Sequence, residues 1–396
     1  MGRAGLDAIC EEAAAAAGLD DFGDDWFLGP LAAWVDDLSQ PSLNDFGRRF
    51  LRSLAVKDVA RRLRVLDVLR RNPEIADVAI APTLYITGQW RSGTTHLHHL
   101  LARHPVARAL LRWELMEPVP PPEAGSHATD PRIAAVQGSV EKLRGSFLER
   151  MHWVNADEPE ECAWGFIDAV AMLGHSASFC MPRWRRFLLE EDLTPAYAHY
   201  RSVVQLLLWK HPVPPDGRLV LKSPQIAVHL GAFAEVFPEA HFVVLDRDPF
   251  RCVVSAASMG QSIVGPFCDT NPIDNDGGRD RVALHWTGHL LRGMSEFSSL
   301  RPERVTHVAY PDLIADPAAA SRGVFAAAGF PIDAGFAEKV AAYLEAQRAG
   351  GRPAPPAQLL THGYTEDVVR SEPAVREYCD RFNVVPERER LVGVHS

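Results

Sequence analysis

Leu84-Tyr-Ile-Thr-Gly-Gln-Trp-Arg-Ser-Gly-Thr-Thr-His-Leu-His-His-Leu-Leu101 places an apolar run, a glycine-bracketed loop and a segment rich in Leu and His in direct succession. Leu84 to Ile86 reads as a buried strand, Gly88 to Gly93 as a tight loop, and the residues after Gly93 as the start of a helix. A glycine loop between a strand and a helix N-terminus is an anion site: its N–H groups turn inward and the helix dipole adds about half a positive charge. The two glycines keep the G-x-x-x-x-G spacing of a P-loop, but a nucleoside-triphosphate loop carries Lys after the second Gly, then Ser or Thr for magnesium. Here Thr94 follows Gly93, and the cation, Arg91, stands two residues before that glycine.

Three other stretches repeat the strand-then-helix pattern. In His241 to Ser258, the apolar run Phe242 to Leu245 predicts a buried parallel strand, and Asp248-Pro249 predicts an N-cap and first helical residue. Arg247 then ends the strand, and Ser255 lies about two turns into the helix. Arg218-Leu-Val-Leu-Lys222-Ser223-Pro224 is a second short strand, ending in a cation and a hydroxyl. Val305 to Leu313 is a third, leading through Asp316-Pro317 into a helix of small residues that ends at Gly329-Phe-Pro331. Ligands of open α/β sheets lie at the carboxyl ends of strands, where Arg247 and Lys222 fall. The alternation predicts an α/β fold: a P-loop-type three-layer architecture with a central parallel sheet, plus a helical N-terminal extension. The expected organisation is a helical extension over 1–80, an α/β domain over 81–335 with a helical insertion at 125–215 for an acceptor site, and a helical and loop region over 336–396. Residues 48–71 form a strongly basic helix, expected to present a solvated face; contact with an acidic lipid surface is the minority reading.

Together these stretches resemble the PAPS-dependent sulfotransferase family, whose donor is 3′-phosphoadenosine-5′-phosphosulfate, and within it an actinobacterial branch whose helical extension opens like Gly18-Leu-Asp-Asp-Phe-Gly23. The resemblance implies that Arg91, Ser92, Gly93, Thr94 and Thr95 wrap the 5′-phosphosulfate. It implies that Arg247 and Ser255 bind the 3′-phosphate, and that Lys222 is aimed at the transferring sulfuryl group. It also implies PAPS as co-substrate with no metal. Two departures stand out. Pro224 occupies the place where cytosolic members carry a catalytic His, and the R-K-G element near their C-terminus is absent, so the base and part of the 3′-phosphate contact must differ.

Transfer to a hydroxyl needs a base for the acceptor proton. The same resemblance puts Glu114, in Arg112-Trp113-Glu114, first. Glu161, closing Asp157-Glu-Pro-Glu-Glu161, is second because Cys162 and Trp164 suggest apolar packing beside it. His98 lies four residues after Thr94, on the same helical face, and is retained as an acceptor contact. Trp90, Trp113, Trp153, Trp164, Met172, Phe179, Met181 and Trp184 are mostly core candidates, with a subset expected to line an apolar acceptor pocket.

With 396 residues and 47% hydrophobic content the chain can bury a large core, and its net charge of −10 argues against a nucleic-acid surface. Local cations can still hold a polyanion. No stretch approaches the ~20 apolar residues of a spanning helix, and the N-terminus lacks a signal-peptide core. The six cysteines show neither C-x-x-C nor metal spacing. The expectation is a cytoplasmic sulfotransferase acting on a hydroxylated small-molecule or lipid acceptor, with a homo-oligomer left open. The alternatives are a P-loop kinase using Mg-ATP and a non-catalytic nucleotide-binding protein.

Overall fold

A computed structural model describes residues 2–178, 181–269, 281–330, 335–349 and 362–387. Its strands are β1 (Thr83–Gly88), β2 (Ala107–Ala109), β3 (Arg218–Lys222), β4 (Ala240–Asp246) and β5 (Val305–Ala309). They form one sheet in the order β2-β3-β1-β4-β5, and every pair is parallel. Parallel pairing requires crossovers, which put helices on the faces and bury the strands from both sides.

Side chains alternate across the sheet plane, and the alternation separates two cores. Tyr85, Leu219, Leu221, Phe242 and Val244 face the larger one. Leu84, Ile86, Val220, Val243 and Leu245 face the smaller one, with Leu97, Leu100 and Leu101 of helix Thr94–Leu101. The register sets Ile86 opposite both Lys222 and Val243, and Gly88 opposite Leu245. The glycine loop, Lys222 and Arg247 therefore leave the sheet along the same carboxyl edge.

The N-terminal helices Gly2–Ala17, Leu28–Asp37 and Asp45–Arg71 contribute Ile9, Leu31, Trp34, Leu51, Val59 and Leu63 to the larger core. The last of them starts with an Asn44 cap that accepts the Gly47 N–H at 2.7 Å. Its expected solvated basic face needs correction. Arg61 is buried and paired with fully buried Asp168 at 2.7 Å, and buried Arg62 pairs with Asp24 at 3.0 Å. At 3.6 residues per turn a run this dense in cations cannot keep them all outside. The cations that turn inward are held by partners, as buried charges must be. Toward solvent, Arg52 pairs with Glu12 and Arg70 with Asp21. Among the described residues no helix is long and apolar enough to cross a membrane.

Candidate active site

Gly93 has φ 101° and caps helix Thr94–Leu101 in the left-handed conformation. A Cβ there would lie 2.9 Å from the Tyr310 ring, so glycine is required on both counts. Arg91 is also left-handed, at φ 71° without being glycine, a conformation that persists only when its surroundings enforce it. Here its Nε donates to Ser255 Oγ at 3.2 Å, its Nη2 donates to the Met151 carbonyl at 2.7 Å, and its own carbonyl accepts from Arg247 Nη1 at 2.8 Å. Ser92 Oγ donates to the Gln89 carbonyl, Gln89 Nε2 to the Arg247 carbonyl, and Thr87 Oγ1 to the Ser223 carbonyl. The loop is thus lashed to the ends of β3 and β4.

Asp248-Pro249 behaves as anticipated. Asp248 caps helix Pro249–Val264 through the Phe250 N–H at 3.2 Å, and Pro249 takes the first turn. The Arg247 guanidinium lies over Tyr310, 3.8 Å from the ring centroid. It also forks onto Glu387, with Nε to Oε1 at 2.9 Å and Nη2 to Oε2 at 3.3 Å. At the other end of the row Lys222, 1% exposed, donates from Nζ to Glu161 Oε2 at 2.9 Å. Lys222 and Arg247 therefore each hold a carboxylate.

A cleft of about 330 Å³ opens beside the loop. Its polar end is formed by Arg91, Thr94, Thr95, Arg112, His152 and Glu161; most of the rest is apolar, including Trp90, Trp164, Met172, Met259, Ile263 and Trp286. Of the aromatic and Met candidates, Trp90, Trp164 and Met172 line it. Trp113, Trp184 and Met181 are fully buried elsewhere, Trp153 carries Arg144 over its ring at 4.1 Å, and Phe179 lies outside the described residues. The adjacent carboxylates of the 157–161 loop have opposite fates. Glu161 faces the cleft. Glu160 is buried, accepts from Arg112 Nη1 at 2.5 Å and from the Glu161 N–H at 2.6 Å, and has His152 Nε2 at 3.7 Å. Burial pushes the Glu160 carboxyl upward, but His152, Arg112 and Lys222 outweigh it and hold it well below the usual range.

The sulfotransferase family profile matches residues 82–334, more than half of the chain. This chain belongs to the sulfotransferase family. Among solved structures, sulfotransferase STF9 from Mycobacterium avium superposes with a TM-score of 0.84 at 26% identity, covering 96% of this chain and 97% of STF9. Sulfotransferase STF1 from Mycobacterium tuberculosis, at 22% identity, shares the fold with a TM-score of 0.76 over 92% of this chain and 97% of its own. Among curated proteins, the Mycobacterium tuberculosis omega-hydroxy-beta-dihydromenaquinone-9 sulfotransferase Stf3 is 26% identical over 255 residues. That match covers 61% of this chain and 62% of Stf3.

Two sequence candidates do not stand in the cleft. Glu114, expected first as the base, is fully buried and engaged at both oxygens. Arg108 forks onto it, His127 Nε2 approaches Oε1 at 3.0 Å, and the Leu111 N–H donates to Oε2 at 2.7 Å. Burial raises its pKa, but Arg108, His127 and the Leu111 N–H prevail and bring it down to about 2. His127 and His211 put metal-capable atoms near it, all within 4.8 Å, yet the Arg108 fork already holds the carboxylate. Glu114 belongs to the support of the helix Arg112–Met116, where it closes the first turn. His98 is likewise fully buried, with Nε2 3.1 Å from the Val220 carbonyl. It shares a helix face with Thr94, but it lies one turn deeper, about 5–6 Å along the axis, where the helix rests on β3. Burial drives its pKa well below the usual histidine value. Sequence reasoning missed Arg112, His152 and Glu387. Arg112 stands out in the sequence only as the neighbour of Glu114, His152 and Glu387 sit in no motif, and only the fold brings the three to the site.

Proposed function

We propose that this sulfotransferase moves a sulfuryl group from PAPS to the hydroxyl of a lipophilic acceptor by in-line displacement. The observation that carries the reading is one continuous arrangement: an anion loop without the Walker lysine, Lys222 and Arg247 on the same sheet edge, and an apolar cleft with Glu161 at its polar end.

The chain's residues divide the work. The loop Arg91 to Thr95 and the N-terminus of helix Thr94–Leu101 hold the 5′-phosphosulfate, and Arg247 with Ser255 holds the 3′-phosphate. PAPS, when bound, supplies an activated sulfuryl group whose bond to the bridging phosphate oxygen breaks as the acceptor oxygen bonds to sulfur. The electron pair of the broken bond stays on the phosphate. Lys222 and the loop N–H groups stabilise the charge that grows there, the preorganised electrostatic assistance that usually dominates such transfers. Glu161 accepts the acceptor proton once Lys222 turns from it toward the donor. The apolar walls formed by Met172, Met259, Ile263 and Trp286 exclude water and seat a long apolar body with its hydroxyl toward Glu161. A hydroxylated menaquinone derivative, named as the substrate of the relative Stf3, is an acceptor of that chemical kind.

Calorimetric titration of 3′,5′-ADP and of Mg-ATP tests the donor. Metal-independent binding of 3′,5′-ADP that is lost in Arg247→Ala is the expected result. Preference for Mg-ATP, indifferent to that substitution, would put a kinase in its place.

A further inference from the structure

The C-terminal segment reaches the donor edge in an unusual way. Helix Pro373–Phe382 ends at Asn383, whose left-handed backbone (φ 52°) turns the chain back on itself. The Val384 N–H returns to the Cys379 carbonyl at 3.0 Å, and Tyr378 of that helix donates its hydroxyl to Asp246 at the end of β4. Glu387 is then fixed by three separate hands. Its carboxylate takes the Arg247 fork, its N–H donates to Asp248 Oδ2 at 2.9 Å, and its carbonyl accepts from Arg251 Nη2 at 3.2 Å. Asp248 is steadied in turn by Arg370 at 3.1 Å. Arg247, just past the end of β4, and Arg251, in the first turn of the following helix, thus both hold Glu387, the first by its carboxylate and the second by its backbone carbonyl.

A carboxylate accepting two guanidinium N–H groups side by side presents the charge and spacing that a phosphate monoester would present to the same fork. Both cannot occupy it, because anionic oxygens a few ångströms apart in a half-buried setting repel strongly. We propose that Glu387 is a built-in competitor for the donor's 3′-phosphate, and that Arg251, released when Glu387 leaves, joins Arg247 as the second cation of that subsite. The inference rests on the donor reading above. It also provides a cationic contact where the R-K-G element of cytosolic members is missing. A nucleotide carrying a 3′-phosphate displaces the segment; one without it does not.

The test uses the full chain and two metal-free probes, 3′,5′-ADP and 5′-AMP, which differ by the 3′-phosphate. Removing the competing charge in Glu387→Gln, with Glu387→Ala as a second variant, tightens 3′,5′-ADP by about tenfold, in keeping with release of a closed state, and leaves 5′-AMP unchanged. Arg251→Ala weakens 3′,5′-ADP by about 10- to 100-fold, the range for a charge-assisted contact, again with 5′-AMP unchanged. If both Glu387 variants bind 3′,5′-ADP as the wild type does or more weakly, or shift both nucleotides equally, the competitor is refuted while the donor site stands. If Arg251→Ala has no effect, its part in the subsite is refuted. If the wild type ignores 3′,5′-ADP altogether, the donor reading falls and the competitor falls with it.

Discussion

The proposed donor edge and the proposed acceptor cleft are neighbours in space but are encoded differently. Along the donor edge, each junction is spelled in a few consecutive residues: Ser92-Gly93-Thr94, Lys222-Ser223-Pro224, Arg247-Asp248-Pro249. The cleft touches the loop at Arg91, Thr94 and Thr95, but draws most of its walls from Trp90, Arg112, Leu143, the 152–175 stretch and residues 256–263 and 282–286. The contrast has a physical origin. Cradling an anion demands specific backbone angles and a helix start, and those are local properties of sequence. An apolar cavity demands only volume and hydrophobicity, which residues from any segment can supply once the fold assembles them.

The comparison can be broken most sharply at the seam between the two regions. Glu161→Gln should lower kcat for sulfuryl transfer by about 10²–10⁴-fold, the usual worth of a positioned base. It should leave 3′,5′-ADP affinity intact; unchanged turnover would remove Glu161 from the chemistry. Lys222→Met keeps the buried stem and deletes the charge. It should reduce kcat/KM by about 10²–10³-fold, as for loss of one electrostatic stabiliser, in a steady-state assay with any lipophilic alcohol that is turned over.

A third variant belongs to neither region and serves as their contrast. Glu114→Gln leaves Arg108 buried without its anion and should cost about 3–5 kcal/mol of stability by denaturant unfolding, with 3′,5′-ADP affinity unaltered where the protein is folded. The pH dependence has a definite sign. Glu114 titrates at about 2 in the folded protein, below its ordinary 4.5. Its stabilising contribution is therefore complete above about 4.5 and drains away as pH falls toward 2, so the wild type should lose stability across that window and the variant should lose less.

The smallest effect is expected on the apolar wall. Met259→Lys should raise KM for a probe such as farnesol by about 10- to 100-fold, because a cation must be desolvated to seat the chain, while leaving 3′,5′-ADP binding as it was. Loss of nucleotide binding in that variant would erase the distinction between the two regions.

The same contrast explains what could be read ahead of the structure. The apolar runs at 84–86, 219–221 and 242–245 gave away β1, β3 and β4, because a doubly covered parallel sheet tolerates little else, whereas β2, the three-residue Ala107–Ala109, carries no such run and went unread. Gly93 and Asp248-Pro249 gave away the loop and the helix starts through their backbone preferences. Glu114 misled because a carboxylate near a helix start looks the same in sequence whether it faces a cleft or Arg108. Glu160 and Glu161 are chemically identical neighbours, told apart only by the partners the fold gives them: Arg112 and His152 for the buried one, Lys222 for the one at the cleft. His98 fell to a matter of depth along a helix that periodicity does not report. Glu387 lies 140 residues from Arg247 along the chain, and no local pattern links them.

The anchored left-handed backbone of Arg91 has a consequence for the energetics of capture. Its side chain and carbonyl are fixed by Met151, Ser255 and Arg247, all within the protein itself. The loop's conformational entropy is therefore surrendered when the chain folds, at roughly 1–2 kcal/mol per residue fixed, and not when the nucleotide arrives. On the proposed reading, an anion arriving at this end of the site would meet a rigid receptor, and its docking would resemble lock and key with little ordering penalty.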